Sequence, residues 1–345
     1  MASAGSRDQR SLPRRLDPEL APAFAKNPDD EEFLDHLNAI LAPHEEEDYR
    51  DLDERFPTLH VIGVPRSGTT LLYQAVVSGL DIGYVNNLVA AFWRAPVYGV
   101  LLSRKLGIDS GDATFESRYG RTDAVGEPHE FGYFWNAHLG YPNLRERGPD
   151  HEATIDFSHL AKIIRNMAEA AGGPIAFKPM LLVWHLDALC EYLPLSCFVW
   201  IRRDHRATAL SLLGMRRALF GSVEGWASLQ PTIPQGISVE SPAQQVAAQV
   251  LLLERTIERR VRRIGEDRVV RVSYDDLCDR PDAVLEQVRE LLGARGHAPA
   301  WRDRSIRSFQ SRPDPGLETE FGDEVDQALA SLADDPRLTA RIGSA

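Results

Sequence analysis

Four short, strand-like runs of mainly apolar residues punctuate the chain, at residues 59–64, 175–177, 197–201 and 268–272. Runs of this length without alternation read as strands covered on both faces, the habit of a parallel sheet. Longer stretches between them carry helical periodicity. The clearest is 244–264, where Val246, Val250, Leu253, Ile257 and Val261 recur along one face. A further helix is expected over 31–41, and another from about residue 206. Strands alternating with helices predict an α/β fold, a parallel sheet flanked by helices.

Three regions follow from the pattern. Residues 1–56 read as an N-terminal extension: a lead rich in charge and proline to about residue 28, the 31–41 helix, and an acidic run over 45–54 expected on a solvated face. Residues 57–295 form the α/β domain, with an aromatic-rich stretch of helices and loops over 90–149. Residues 296–345 read as a C-terminal tail packing on the core, its Pro313, Pro315 and Gly316 preceding a short helix.

A chain of 345 residues is long enough to bury one large α/β core. Its formal net charge of −12 argues against nucleic acid or an anionic membrane as partner. Any anionic ligand must then be held by local arginines and backbone amides. The three cysteines, Cys190, Cys197 and Cys278, are odd in number and sit in apolar or helical settings, which predicts free thiols in a reducing compartment. Their spacing matches no metal site, and no metal is expected. Residues 1–15 lack the apolar region of a signal peptide. No stretch reaches the about 18 apolar residues of a membrane span, and a cytoplasmic protein is expected.

The chemistry concentrates where the first run ends. Gly63-Val64-Pro65-Arg66-Ser67-Gly68-Thr69-Thr70 joins a strand to a helix with the Gly-x4-Gly frame of a P-loop. Amides of Ser67, Gly68, Thr69 and Thr70 at a helix N-terminus suit a phosphate, and the hydroxyls of Ser67, Thr69 and Thr70 add donors. Arg66 supplies charge. Thr69 stands where an ATPase carries lysine, which points to a nucleotide other than ATP–Mg. A second strand end, Arg202-Arg203-Asp204-His205-Arg206, offers arginines, with Ser211 two helical turns downstream.

Together these segments resemble the sulfotransferases that use 3'-phosphoadenosine 5'-phosphosulfate (PAPS), over roughly residues 59–281, with closest similarity to the bacterial and protein-tyrosine branch. Pro65 to Thr70 match the family's Pro-Arg/Lys-Ser-Gly-Thr-Thr loop, which holds the 5'-phosphosulfate. Arg203, Asp204 and Ser211 match its Arg-Asp-x6-Ser pattern, which makes Arg203 and Ser211 the implied 3'-phosphate ligands. The resemblance implies a P-loop-like sulfotransferase fold. It also implies a lysine at the end of the third core strand, here Lys178 in Ala176-Phe177-Lys178-Pro179, aiding the leaving phosphate or the transferring group. The cytosolic branch has its catalytic histidine two residues later, where this chain has Met180. Tyr274, after the last strand, is implied near the adenine. Many members close the cofactor site with a basic C-terminal loop, for which Arg304, Arg307 and Arg312 are the candidates here.

The acceptor's proton needs a base from elsewhere. Gly126-Glu127-Pro128-His129-Glu130-Phe131 is the best source, with Pro128 expected at the first position of a helix. Glu127 ranks first, His129 second and Glu130 third. The rings nearby, Tyr84, Phe92, Trp93, Tyr98, Tyr133, Phe134, Trp135 and Tyr141, are read first as core and second as the lining of an acceptor pocket. The expected function is transfer of a sulfuryl group from PAPS to a hydroxyl of a small-molecule acceptor, leaving adenosine 3',5'-bisphosphate. Arg66 and Lys178 would neutralise developing charge. A P-loop small-molecule kinase and a non-catalytic PAPS-binding protein are the alternatives. Arginine in excess over lysine, with much alanine, suggests a GC-rich bacterial genome and a natural-product acceptor. Homo-oligomer formation is left open.

Overall fold

The computed structural model describes residues 20–303, 306, 308–310, 314–333 and 335. Residues 1–19, and with them most of the N-terminal lead, lie outside this set, as do Arg304, Arg307 and Arg312. Among the described residues five strands form one sheet: β1 (Thr58–Ile62), β2 (Gly83–Tyr84), β3 (Ile175–Phe177), β4 (Cys197–Arg202) and β5 (Val269–Ser273). Their order is β2-β3-β1-β4-β5, and every neighbouring pair is parallel. Four strands fall on the four apolar runs. The two-residue β2 is too short to leave a pattern in the sequence.

The helices are α1 (Pro28–Asp48), α2 (Thr69–Gly79), α3 (Asn87–Ala90), α4 (Pro96–Lys105), α5 (Gly132–His138), α6 (Pro149–Glu152), α7 (Phe157–Ala171), α8 (Leu186–Tyr192), α9 (His205–Phe220), α10 (Pro242–Ile264), α11 (Tyr274–Asp279), α12 (Pro281–Ala294) and α13 (Pro315–Ala333). The sheet divides the core. Leu59, Val61, Val199, Ile201 and Val272 share one cluster with Leu72 and Val76 of α2 and Leu285 and Val288 of α12. Ile62, Phe177, Phe198 and Trp200 share the other with Ile164 and Met167 of α7, Leu189 of α8 and Val250, Leu253 and Ile257 of α10. Strands covered on both faces have no polar side, hence the mostly apolar runs of β1, β3 and β4; β5, at the edge, exposes Arg271 and Ser273. Helix α10 starts at a capping box of Ser241 and Gln244, with Pro242 at its first position. All five of its predicted face residues are buried. Among the described residues no helix is long and apolar enough to cross a membrane.

Three expectations are corrected. Helix α1 runs past residue 41 to Asp48, through Pro43. The acidic run is not wholly solvated: Glu45 is fully buried, its Oε1 accepting from Val97 N (3.1 Å) and its Oε2 from Tyr98 N (2.6 Å). Helix α4 has no side-chain cap of its own, so Glu45 satisfies amides that the helix leaves open. Burial pushes the Glu45 carboxyl pKa up, and its hydrogen bonds pull it back. The tail helix α13 is long, 19 residues. It lies against α9 and α10, joined to α9 by Arg206–Glu318, Arg206–Asp326 and Arg217–Glu320 ion pairs.

Candidate active site

The chain leaves β1 towards β2 and leaves β4 towards β5, in opposite directions across the sheet. A crevice therefore opens between the carboxyl ends of β1 and β4, the switch point where open α/β sheets bind ligands. The loop from Gly63 to Gly68 leaves β1 there. At Gly63 a Cβ would stand 2.7 Å from Ile201 O and 2.6 Å from Ser67 Oγ, so the tight turn excludes a side chain. Gly68 has φ of 104°, and a Cβ on it would meet the Tyr274 ring at 2.6 Å. Helix α2 starts from Gly68 without a side-chain cap, which leaves first-turn amides for another acceptor. Ser67 Oγ is buried with no hydrogen-bond partner. Uncapped amides and an orphaned buried hydroxyl in one turn are what a bound phosphate would satisfy.

Arg66, with φ of 72°, turns its side chain towards α9. Its Nε donates to Ser211 Oγ (3.1 Å), and its Cζ lies 5.0 Å from the Tyr119 ring centroid. Arg203, just beyond β4, donates from Nη1 to Arg66 O (3.3 Å) and lies over the Tyr274 ring at 4.4 Å. Burial pushes the Arg66 guanidinium pKa down, and Arg203 adds to this, while Tyr119, Glu130 and Tyr274 oppose it. Two arginines held this close repel, and an anion beside them would relieve both. Asp204 caps α9 by accepting from Ala207 N (2.8 Å), which fixes the strand-to-helix turn that presents Arg203 and Ser211.

Lys178 follows β3 and is fully buried. Its Nζ donates to Thr70 Oγ1 (3.0 Å) and pairs with Glu130. Burial pushes the ammonium pKa down, the Glu130 carboxylate draws it back, and Arg66 pushes the same way as burial.

The segment carrying the candidate bases departs from expectation. No helix starts at Pro128. Asn86 and Pro128 form a bridge, His129 N donates to Val85 O (2.9 Å) and Asn87 N donates to Glu127 O (3.1 Å). That pairing commits the backbone of 127–129 to an extended path, and α5 begins only at Gly132, after Phe131 at φ of 57°. Glu127 is buried one turn further along α2 than Thr70. Its Oε2 accepts from Gln74 Nε2 (3.0 Å) and its Oε1 from Thr114 N. The His129 Nδ1 accepts from Phe131 N (2.9 Å), which assigns the ring proton to Nε2. Burial lowers the His129 pKa to about 4, against the pull of Glu130.

The fold thus gathers Pro65 to Thr70, Arg203, Ser211, Tyr274, Lys178 and Glu130 around one crevice. Glu127 is spent on structural partners, and His129 is neutral with its acceptor nitrogen engaged. Of the aromatic residues, Tyr84, Trp93, Phe134, Trp135 and Tyr141 are core; Tyr133 is half-buried and bonded to Lys26 and Glu31. The sequence reading missed Tyr119 and Gly120. Their only signal was a glycine between two arginines, the mark of a tight turn with no stated location.

A model described as the sulfotransferase family matches residues 57–298. No curated protein matches the sequence. Solved structures that match include a sulfotransferase from Mycobacterium avium, 15% identical over 87% of this chain and 86% of that one, TM-score 0.47. Another, from Mycobacterium tuberculosis H37Rv, is 15% identical over 88% and 86%, TM-score 0.48. A sulfotransferase domain from the curacin biosynthetic pathway is 12% identical over 82% and 99%, TM-score 0.40.

Proposed function

The chain belongs to the sulfotransferase family, and we propose that it moves a sulfuryl group from PAPS to a hydroxyl of a small-molecule acceptor. One observation carries the reading furthest. The buried Lys178 ammonium bridges Thr70 of the phosphate loop and the Glu130 carboxylate, so loop, cation and base meet at one point.

In this reading the Ser67 to Thr70 amides and hydroxyls hold the donor's 5'-phosphate, Arg203 and Ser211 its 3'-phosphate, and Tyr274 lies beside the adenine. The donor supplies the sulfuryl group. The bond between sulfur and the phosphate oxygen breaks as the bond to the acceptor oxygen forms, in line, and the acceptor proton passes to Glu130. Arg66 and Lys178 offset the charge that builds on the departing phosphate oxygen. The products are a sulfate ester and adenosine 3',5'-bisphosphate. Glu130 takes the base role ahead of Glu127 and His129, because its side chain keeps about 39% of its exposure while sharing a cation with the phosphate loop. A natural product is the acceptor class proposed here, in a bacterial cytoplasm.

Calorimetric titration with adenosine 3',5'-bisphosphate, beside ATP–Mg, tests the reading. Binding of the bisphosphate without metal is expected. Binding of ATP–Mg in its place would overturn the donor assignment and favour a kinase.

A further inference from the structure

Residues 118–121, Arg-Tyr-Gly-Arg, close a two-residue hairpin. Arg118 N donates to Arg121 O (2.9 Å), and Arg121 N donates to Arg118 O (3.1 Å). Both turn residues have positive φ, 53° at Tyr119 and 90° at Gly120, as a type I' turn requires. Glycine takes this conformation freely; tyrosine takes it at a steric cost that its surroundings must sustain.

Those surroundings are the candidate active site. The Tyr119 ring lies 5.0 Å from Arg66 Cζ. Its hydroxyl lies 3.7 Å from where a Cβ on Gly214 of α9 would stand. A Cβ on Gly120 would stand 3.0 Å from Glu130 Oε1 and 3.7 Å from Thr70 Oγ1. The hairpin is tied down from behind: Arg121 Nη1 donates to Phe24 O (2.6 Å), and Asn87 Nδ2 donates to Thr122 O (3.1 Å). The turn is thus built into the wall opposite the phosphate loop.

Arg66 needs such a wall. Its neighbour Arg203 repels it, and a single hydroxyl, Ser211, accepts from its Nε. An aromatic face attracts a guanidinium electrostatically, more strongly where water is excluded. We propose that Tyr119 is a positioning residue: its ring face holds the Arg66 guanidinium where the donor's phosphate is bound. This rests on the reading of Arg66 as a ligand of that phosphate.

The ring, rather than the bulk or the hydroxyl, is the claimed agent, which separates this role from simple packing. Adenosine 3',5'-bisphosphate is titrated calorimetrically into the wild type, Tyr119→Phe, Tyr119→Trp, Tyr119→Leu, Arg66→Met and the Arg66→Met/Tyr119→Leu pair. The aromatic variants are expected to bind within about twofold of wild type, and Tyr119→Leu about tenfold more weakly. In the Arg66→Met background the leucine is expected to cost nothing further, because the contact is already gone. Equal weakening by phenylalanine and leucine overturns the proposal, as does an undiminished tenfold loss from leucine on Arg66→Met. Wild-type affinity in Tyr119→Leu removes the proposal alone. A wild type that does not bind the bisphosphate removes the donor reading and the proposal with it. Should Tyr119→Leu not fold, the aromatic pair still decides: a tenfold loss in Tyr119→Phe is incompatible with a role for the ring.

Discussion

Arg66 Nε donates to the Ser211 hydroxyl across 3.1 Å, joining residues 145 positions apart. The phosphate loop and helix α9 therefore meet side chain to side chain at the switch point of the sheet. One side chain from each predicted phosphate motif takes part, so an anion that engages either motif acts on both.

Arg203 sits beside Arg66 with its guanidinium over the Tyr274 ring. Arg203→Ala is expected to weaken adenosine 3',5'-bisphosphate binding about 10- to 100-fold, the range for losing charge-assisted hydrogen bonds. Acceptor preference should not change. Calorimetry on the variant decides, and an unaltered dissociation constant would remove Arg203 from the site.

Glu130 and Glu127 separate by what they do when neutralised. Glu130→Gln keeps an acceptor for Lys178 but removes the base, so kcat for sulfuryl transfer should fall about 10²- to 10⁴-fold with bisphosphate affinity nearly intact. Glu127→Gln should instead lower the melting temperature, because Gln74 Nε2 and Thr114 N lose a charged acceptor, while transfer per folded molecule is retained. A kcat loss confined to Glu127→Gln would reverse the assignment.

Burial holds the His60 imidazole neutral, its pKa lowered to about 3 from an ordinary 6.5. Its ring stacks on Phe177 and Phe198, with Nε2 against Thr58 Oγ1. As pH falls below 6.5 the unfolded chain takes up a proton that the folded chain refuses, so stability falls with pH down to about 3. Between pH 7 and pH 5 His60 alone should remove about 2 kcal/mol. Urea unfolding at the two pH values should show a slope about that much shallower in His60→Phe. An unchanged pH dependence would mean that His60 takes up its proton at the same pH in the fold as in the unfolded chain.

Glu45 closes the N-terminus of α4 from within α1. Glu45→Ala is expected to cost about 1–3 kcal/mol in chemical denaturation, from a lost cap and two amides left buried. A cost near zero would show that water replaces the carboxylate.

Local pattern was enough for four of the five described strands, β2 being too short to leave one. The runs at 59–64, 175–177 and 197–201 are mostly apolar because both faces of the sheet are covered there, while the edge strand β5 buries Val269 and Val272 and exposes Arg271. The phosphate loop was legible because its motif is contiguous from Gly63 to Thr70, although the atoms that exclude a side chain at Gly63 and Gly68 include Ile201 and Tyr274, far away in sequence. Helix ends were less legible: α1 extends about two turns past residue 41 to Asp48, because such ends depend on caps and packing that lie elsewhere in the chain.

What the sequence determined by itself was the order and type of the four longer strands and of helices α1, α9 and α10, and the two motifs that carry phosphate-compatible groups. What only the tertiary structure decided was which acids and rings reach them. Glu127 and Glu130 are three positions apart in one loop and look alike in composition. The pairing of 127–129 with 85–87 turns the first into the helix-side interior beside Gln74 and the second to Lys178 and Thr70. Tyr119 likewise owes its place over Arg66 to a hairpin anchored on Phe24 and Asn87. A side chain's direction depends on partners distant in sequence, and no local pattern records them.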